Sequence, residues 1–517
     1  MKKKRSIAWS TSCIIISILF AFANIYTKRL LYLDDIFVPL KGSEIFILLI
    51  SSTIFFILIE FLSNISDFKF WDKLDNLKIS KVSSKRIYGF VFIILFLTSV
   101  ICFLTFFPGA ANLDTYYILY YDTDMSRQHP MAYCLYVRII KAMFLELGGY
   151  QLVIIVNSII QILLWCAVLT YCTIWFLKRN YSKFWIMVTM LFYSLTPIYS
   201  VYVITMLKDT FFAILCILWI PLLIDIIDSK GEVIKKRFLY FIALSLVTSL
   251  LRSNAKIIVA ILLVYLLVKF YKCYWKQLTL SLILVIIISS LPGMFMSYKG
   301  NPSWFQEKAG VLIQQVAAVA QESGEEAFSK DELALLNELM PIETIQKVYS
   351  PMNADFIKWD ENFNRVYLNE HSTEFIKMWL HLLPNNFSTY VKAWLNVTYG
   401  FWSVNLREVR YWTDFGEYAK QIFPTFIQNI LTTIYSKLLH FLNEAALFWL
   451  SIAISCAFFK KKKKYFIVLV PILINYITIF LSTPVAAEYR YVLMVTFSLP
   501  IIINILFEKD NKEKAIL

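Results

Sequence analysis

Four short stretches of the chain bring together residue types that do chemistry. The first follows Phe107-Pro-Gly-Ala-Ala-Asn-Leu and presents Asp114, then Asp122-Thr-Asp124 and His129-Pro130. A carboxylate such as Asp114 could accept the proton of an attacking hydroxyl. The Asp122-x-Asp124 pair could ligate a divalent cation, Mg2+ or Mn2+, through oxygen, or serve with His129 as a supporting or acceptor-side group. The plain alternative is a hydrated loop whose aspartates cap short helices. The other three stretches are Lys208-Asp209, Arg252-Ser-Asn254 and Glu488-Tyr-Arg490-Tyr491. Lys208, Arg252 and Arg490 are the side-chain types that hold a phosphate, with Asp209, Asn254, Glu488 and Tyr491 as neighbours. Their plain alternative is pairing with one another's carboxylates. The four histidines are scattered, and the eight cysteines sit almost all inside apolar runs, so neither a His cluster, a Cys-based zinc site nor a disulfide framework is expected.

The elements that must position these residues are membrane spans. The 517 residues are 59% hydrophobic and 17% charged, with a mean hydropathy of +0.63. Soluble domains run at about 45–50% apolar and about 25% charged, so this composition does not fit a water-soluble globule. Apolar runs of about 20 residues point to spanning helices and exclude a transmembrane barrel, whose strands alternate. Twelve spans are expected, near 6–26, 44–64, 88–107, 151–177, 184–204, 207–228, 237–252, 255–272, 277–297, 440–459, 465–483 and 489–507.

More than half of the 50 Lys and Arg residues fall in the segments that are cytoplasmic if the N-terminus is inside. They include Lys2 to Arg5, the stretch from Lys69 to Arg86, Lys235-Lys236-Arg237 and the run Lys460 to Lys464. This positive-inside pattern places both termini in the cytoplasm and accounts for the net charge of +14 without nucleic acid. The start of the chain has some features of a cleavable signal peptide, but a retained anchor is expected. All four chemistry-bearing stretches then map to the outer face, where charges beside hydrocarbon are costly unless paired or facing a polar cavity. Asp225 and Asp228, beside Lys230, are read as ending the sixth span. Arg138, Lys141 and Glu146 are read as part of an interfacial helix after Pro130.

A long outer segment, 298–439, carries helix signals. These are an apolar-spaced stretch from Trp304 to Gln321, a capping-box pattern from Ser329 to Glu332 and a stop at Pro341. Its aromatics, among them Trp304, Trp359, Trp379, Trp394, Trp402, Tyr411 and Trp412, suit either sugar stacking or anchoring at the membrane interface, with anchoring the simpler account.

The Pro108-Gly109 turn followed by Asp114, the His129-Pro130 pair, Lys208-Asp209, Arg252-x-Asn254 and Tyr489-Arg490-Tyr491 resemble the bacterial GT-C superfamily, most of all a branch of multi-span glycosyltransferase-like proteins. The resemblance covers most of residues 88–507. It implies an enzyme that takes a sugar from a polyprenyl-phosphate donor at the outer membrane face and passes it to a hydroxyl of a glycan or lipid in the cell envelope. In that superfamily the first large outer loop carries the acidic catalytic residue, often within an Asp-x-Asp-like pair. Asp114 matches by its place after the turn and is favoured as the base, while Asp122 and Asp124 match the pair literally. The implied division is a two-span addition at 1–87, a core at 88–297 with its acidic loop at 108–150, the outer segment at 298–439, and three spans at 440–517. The chain departs from the simplest layout of the family, because its acidic loop follows the third span and its long outer segment is followed by three more. A polysaccharide polymerase or ligase, and a flippase or secondary transporter, are the competing expectations within the membrane class.

Overall fold

In lipid every backbone N–H and C=O must be satisfied within its own segment, so the apolar runs fold as helices. The computed structural model describes residues 2–32, 39–68, 82–111, 113–120, 129–299, 303–404 and 422–508. Among the described residues there are helices and no strands, with two isolated bridges, Ala110 to Thr205 and Asn353 to Val485. Eight helices are long and apolar enough to cross a membrane, or up to ten if two bent pairs each count as one span. The chain is a multi-pass, all-helical membrane protein.

The twelve expected spans merge and break for local reasons. The 255–272 and 277–297 runs join into one 44-residue helix, Ala255–Tyr298, which leaves helical geometry at Phe270 and Tyr274. The 237–252 run yields Phe238–Leu251, a helix of only 14 residues. The 184–204 run bends by 61° between Lys183–Leu195 and Pro197–Val203, because Thr196 precedes a proline and takes an extended conformation. The 440–459 run starts after a 52° bend between Thr425–Phe441 and Glu444–Lys461, where the Asn443 side chain accepts the Ala446 N–H. Met131–Lys178 is broken at Gly148 and at Gly149, whose φ of +65° favours glycine. That break separates the turns carrying Arg138, Lys141 and Glu146 from the apolar length after residue 150.

Lys208–Asp228 is the central helix, with 83% of its apolar window buried, against 17% for Ala255–Tyr298 at the periphery. The 298–439 segment, expected to be the outer one, forms a second body with its own core, built from residues such as Ile313, Val316, Leu339, Phe375 and Tyr390. Its expected signals are realised: Gly310–Ser323 is a helix, and Ser329 caps Lys330–Leu339 with Glu332 returning to the Ser329 N–H at 2.9 Å. Its tryptophans are mostly structural. Trp379 Nε1 donates to Gln315, Trp394 Nε1 to the Phe480 carbonyl and Trp402 Nε1 to Thr398. Trp304 is buried as well, while Trp359 is exposed beside Arg365; Tyr411 and Trp412 lie outside the described residues.

This body grips the segment between the last two spans through main-chain bonds. Ala354 N donates to Pro484 O at 2.8 Å, Ala486 N to Met352 O at 2.9 Å, and Gly400 N to Ala486 O at 2.9 Å. A Cβ on Gly400 would run into the Ala486 carbonyl, so the close approach requires glycine there.

The opposite end of the bundle corrects one sequence reading and adds to another. Asp225 and Asp228 do more than end a helix. Asp225 Oδ1 accepts from Arg179 Nη1 at 2.6 Å and from Trp175 Nε1 at 2.9 Å, and Asp228 pairs with Arg179 and accepts from the Tyr465 hydroxyl at 2.9 Å. The basic run Lys460 to Lys464, expected to set topology, also ties four elements together. Lys460 pairs with Glu60 at 3.0 Å, Lys461 with Asp67, and Lys464 with Asp228 at 3.1 Å, while Lys462 Nζ donates to the Glu508 carbonyl at 2.7 Å.

Each exposed pair of this clasp contributes up to about 1 kcal/mol. Replacing Lys460, Lys461, Lys462 and Lys464 together by Gln is expected to lower the thermal unfolding midpoint of the purified protein by several degrees. Lys463→Gln, whose ammonium only covers the Phe459 ring at 5.0 Å, should leave it unchanged. Equal midpoints for both variants would remove the clasp from the stability account.

Candidate functional site

The site begins at a turn that only glycine can make. Gly109 has φ +130°, and a Cβ there would lie 2.5 Å from Ser158 Oγ and 3.0 Å from the Ile204 carbonyl. The turn docks on the non-helical segment before the central helix. Ala110 N donates to Ile204 O at 3.0 Å, Met206 N to Ala110 O at 3.1 Å, and Thr115 Oγ1 to Met206 O at 2.6 Å. These bonds seat the helix Leu113–Tyr120, whose first turn carries Asp114, against the start of Lys208–Asp228.

Asp114 Oδ2 is the meeting point of two cations. Lys208 Nζ lies 3.2 Å from it, and Arg490 Nη1 pairs with the same oxygen. Burial pushes the Asp114 carboxyl up, but the Arg490 and Lys208 charges outweigh it and hold the group well below the usual carboxylate range. Lys208 Nζ is also 2.9 Å from His129 Nδ1. An ammonium only donates, so Nδ1 accepts and the ring proton belongs on Nε2. Burial and the Lys208 charge accordingly bring the His129 value down to about 3, which makes the ring neutral.

Adjacent residues on a helix point about 100° apart, so Asp209 serves a second pair. Arg252 Nε lies 3.0 Å from Asp209 Oδ1, and the guanidinium stands 5.5 Å from the Tyr491 ring. Arg490 lies 5.4 Å from the same ring, so Tyr491 packs against both guanidiniums. Asn254 Nδ2 donates to Thr478 at 3.0 Å and to Asn475 at 3.3 Å, and Asn475 Nδ2 donates to the Tyr491 carbonyl at 3.0 Å. Glu488 Oε1 is 3.5 Å from Arg490 Nε. Burial pushes the Glu488 carboxyl up to about 7, against the pull of Arg490 and with the repulsion of Asp114 and Asp209.

The structure therefore brings together Asp114, His129, Lys208, Asp209, Arg252, Asn254, Glu488, Arg490 and Tyr491 at one end of the bundle, much of it through mutual pairing. Asp122 and Asp124, with the cation site expected of the pair, lie outside the described residues. Among the described residues no group of three acidic, His or Cys side chains is arranged to hold a metal ion. Sequence reasoning missed Asn475 and Thr478, which carry no signal inside an apolar run, and Ser158, which backs the glycine turn. It also missed Glu444, fully buried with both carboxyl oxygens unpartnered among the described residues. A carboxylate at the edge of an apolar run was the available signal there.

Pairing leaves hydrogen-bonding capacity over. Arg252 Nη1, Arg490 Nε, His129 Nε2 and the Tyr133 hydroxyl are buried without a hydrogen-bond partner among the described residues. Asp209 Oδ1 and Asn254 Oδ1 are also buried without a hydrogen bond, but the unmet donors, on two guanidiniums, an imidazole and a phenol, outnumber them and suit an anion rich in oxygen. Asp114 remains 25% exposed at its side chain, which leaves the cluster approachable from that side.

Comparison with known proteins adds a family and no function. No curated protein and no solved structure matches the chain. Residues 103–515 match DUF6020, a family of unknown function, and that stretch contains every residue of the cluster. With well over half of its length matched, the chain belongs to the DUF6020 family.

Proposed function

We propose that this protein is a GT-C-type membrane glycosyltransferase, moving a sugar from a polyprenyl-phosphate donor to a hydroxyl acceptor, a glycan or lipid of the cell envelope, at the outer face of a bacterial plasma membrane. The observation that carries the reading is the convergence of Lys208, Arg252 and Arg490, from three separate segments, around Asp114 with buried N–H groups still unmet. A lipid-linked donor keeps its tail in the bilayer and its phosphate at the interface, where this cluster sits at the helix ends. A transporter would place such groups near the bilayer midplane.

Ion pairs at the two ends of the bundle support the finer topology. Arg237 lies 3.6 Å from Asp225 and Arg252 lies 3.0 Å from Asp209, so Phe238–Leu251, about 21 Å long, runs from one end of the central helix to the other. Ala255–Tyr298 starts at the site end and is about 66 Å long, enough for two crossings of a core about 30 Å thick. In this reading the chain crosses twelve times and both termini are cytoplasmic.

In this reading Arg490, Lys208 and Arg252 hold the phosphate and stabilise the charge that develops on it as it leaves. Asp114 takes the proton of the acceptor hydroxyl while that oxygen attacks the anomeric carbon from the opposite face, which inverts the centre. The purified protein should transfer labelled sugar from a polyprenyl-phosphate donor, and Asp114→Asn should lower the rate by at least a hundredfold while still binding donor. Retention of configuration in the product, or full activity in Asp114→Asn, would sink this mechanism.

A pH dependence follows from Glu488. Its carboxyl takes up a proton as the pH falls through about 7, which makes the cluster more positive by one charge. Binding of a phosphodiester lipid should therefore tighten between about pH 8 and pH 6, and Glu488→Gln should flatten that dependence. A slope that persists in Glu488→Gln would assign the titration to another group.

A further inference from the structure

The contacts of Asp114 conflict with its acting as a base while both cations hold it. Both cations meet one oxygen, Oδ2: Lys208 Nζ at 3.2 Å and Arg490 Nη1. A carboxylate held this way is stabilised in its charged form and accepts a proton poorly. It becomes an effective base only if the two cations find another anion. A phosphate oxygen is such an anion, since a guanidinium and an ammonium converging on one oxyanion is how proteins hold phosphate. Arg490 Nε, close to Glu488 but without a hydrogen bond, and Arg252 Nη1 are buried and free to serve further oxygens of the same group.

We propose that Oδ2 of Asp114 holds the place that a phosphate oxygen of the donor takes on binding, and that the arriving phosphodiester draws Arg490 and Lys208 away from it. This rests on the donor reading above and adds an order of events to it. Without donor, Asp114 keeps the cations in place and is silent as a base. With donor bound, the cations neutralise the phosphate and Asp114 faces the acceptor unpaired.

The transfer step then balances. The acceptor oxygen forms its bond to the anomeric carbon, and the bond from that carbon to the phosphate oxygen breaks with its electron pair going to the phosphate. The hydroxyl proton goes to Asp114. The leaving lipid phosphate has gained one negative charge and Asp114 has lost one, so the two cations now favour the phosphate still more strongly. Product release requires Asp114 to lose its proton and reclaim them.

The test uses the full chain in lipid nanodiscs and a polyprenyl methyl phosphodiester, which carries the lipid and the monoanion but no sugar. Removing the internal competitor should raise affinity, by about tenfold if the seat is vacant in one molecule in ten. Asp114→Asn is expected to show this gain. Asp114→Ser, which removes the charge without placing an amide between two cations, should show it too. Arg490→Gln should weaken binding in the wild-type and Asp114→Asn backgrounds alike. Asp355→Asn removes a carboxylate of the outer body, paired with Lys358 at 3.1 Å, and should stay within twofold of wild type. Equal or weaker binding by both Asp114 variants, with wild-type binding measurable, overturns the proposal and leaves the donor reading standing. A tenfold gain in Asp355→Asn also overturns it, by reducing the effect to net charge. Failure of wild type and every variant to bind the phosphodiester overturns the donor reading, and this proposal with it.

Discussion

The contact on which the arrangement depends is the ion triad of Asp114 with Lys208 and Arg490, residues 94 and 376 positions from Asp114 along the chain. Charges at the edge of hydrocarbon are tolerated only when paired or wetted, so the three segments, already held together by main-chain bonds and a shared apolar core, bring their charges to one point. Pairs of this kind add little net stability, because desolvation offsets much of the attraction. What they supply is position: breaking one leaves a partly buried charge uncompensated. The glycine turn at Gly109, the Ala110 bridge and the Thr115 hydroxyl all act in the service of that meeting point.

The two ends of the bundle differ in how their charges are used. At the clasp end, cations from one basic run close on carboxylates or carbonyls of four other elements, and Arg179 is enclosed by Asp225 and Asp228. At the other end the cations are also paired, and among the described residues Arg252 Nη1 and Arg490 Nε are buried without hydrogen bonds, as Arg179 Nε is at the clasp end. What separates the two ends is access: the Asp114 side chain is 25% exposed, against 2% for Asp225 and 10% for Asp228.

Much of this was legible before any coordinates. Composition required a membrane protein, and the cost of a charge beside an apolar run singled out Lys208, Arg252 and Arg490 together with Asp114. The partners could not be read, since nothing local says that Lys208 turns to Asp114 while Asp209 turns to Arg252. The same holds for the lysine run, where Lys460 meets Glu60 across 400 residues. Backbone conformation within the spans was less legible: the 255–272 and 277–297 runs continue as one helix past Phe270 and Tyr274, and the bends at Thr196 and Asn443 carry no hydropathy signal. The tryptophans of the outer body misled for a related reason, because an aromatic ring in a folded core and one at a membrane surface look alike in sequence.

The grip of the outer body on the segment ahead of Glu488 and Arg490 has a consequence for how such a protein can vary. The bonds from Ala354, Ala486 and Gly400 are all between main-chain atoms. They are indifferent to most side-chain replacements, so the surface of the outer body can drift and acquire new specificities while the inherited seat of Arg490 stays where it is. Gly400 and Gly310 are exceptions, because a side chain at either would push on the same strap, at Ala486 and at Pro484. One face of the molecule is thereby free to diversify, and two glycines guard the register between it and the charged cluster.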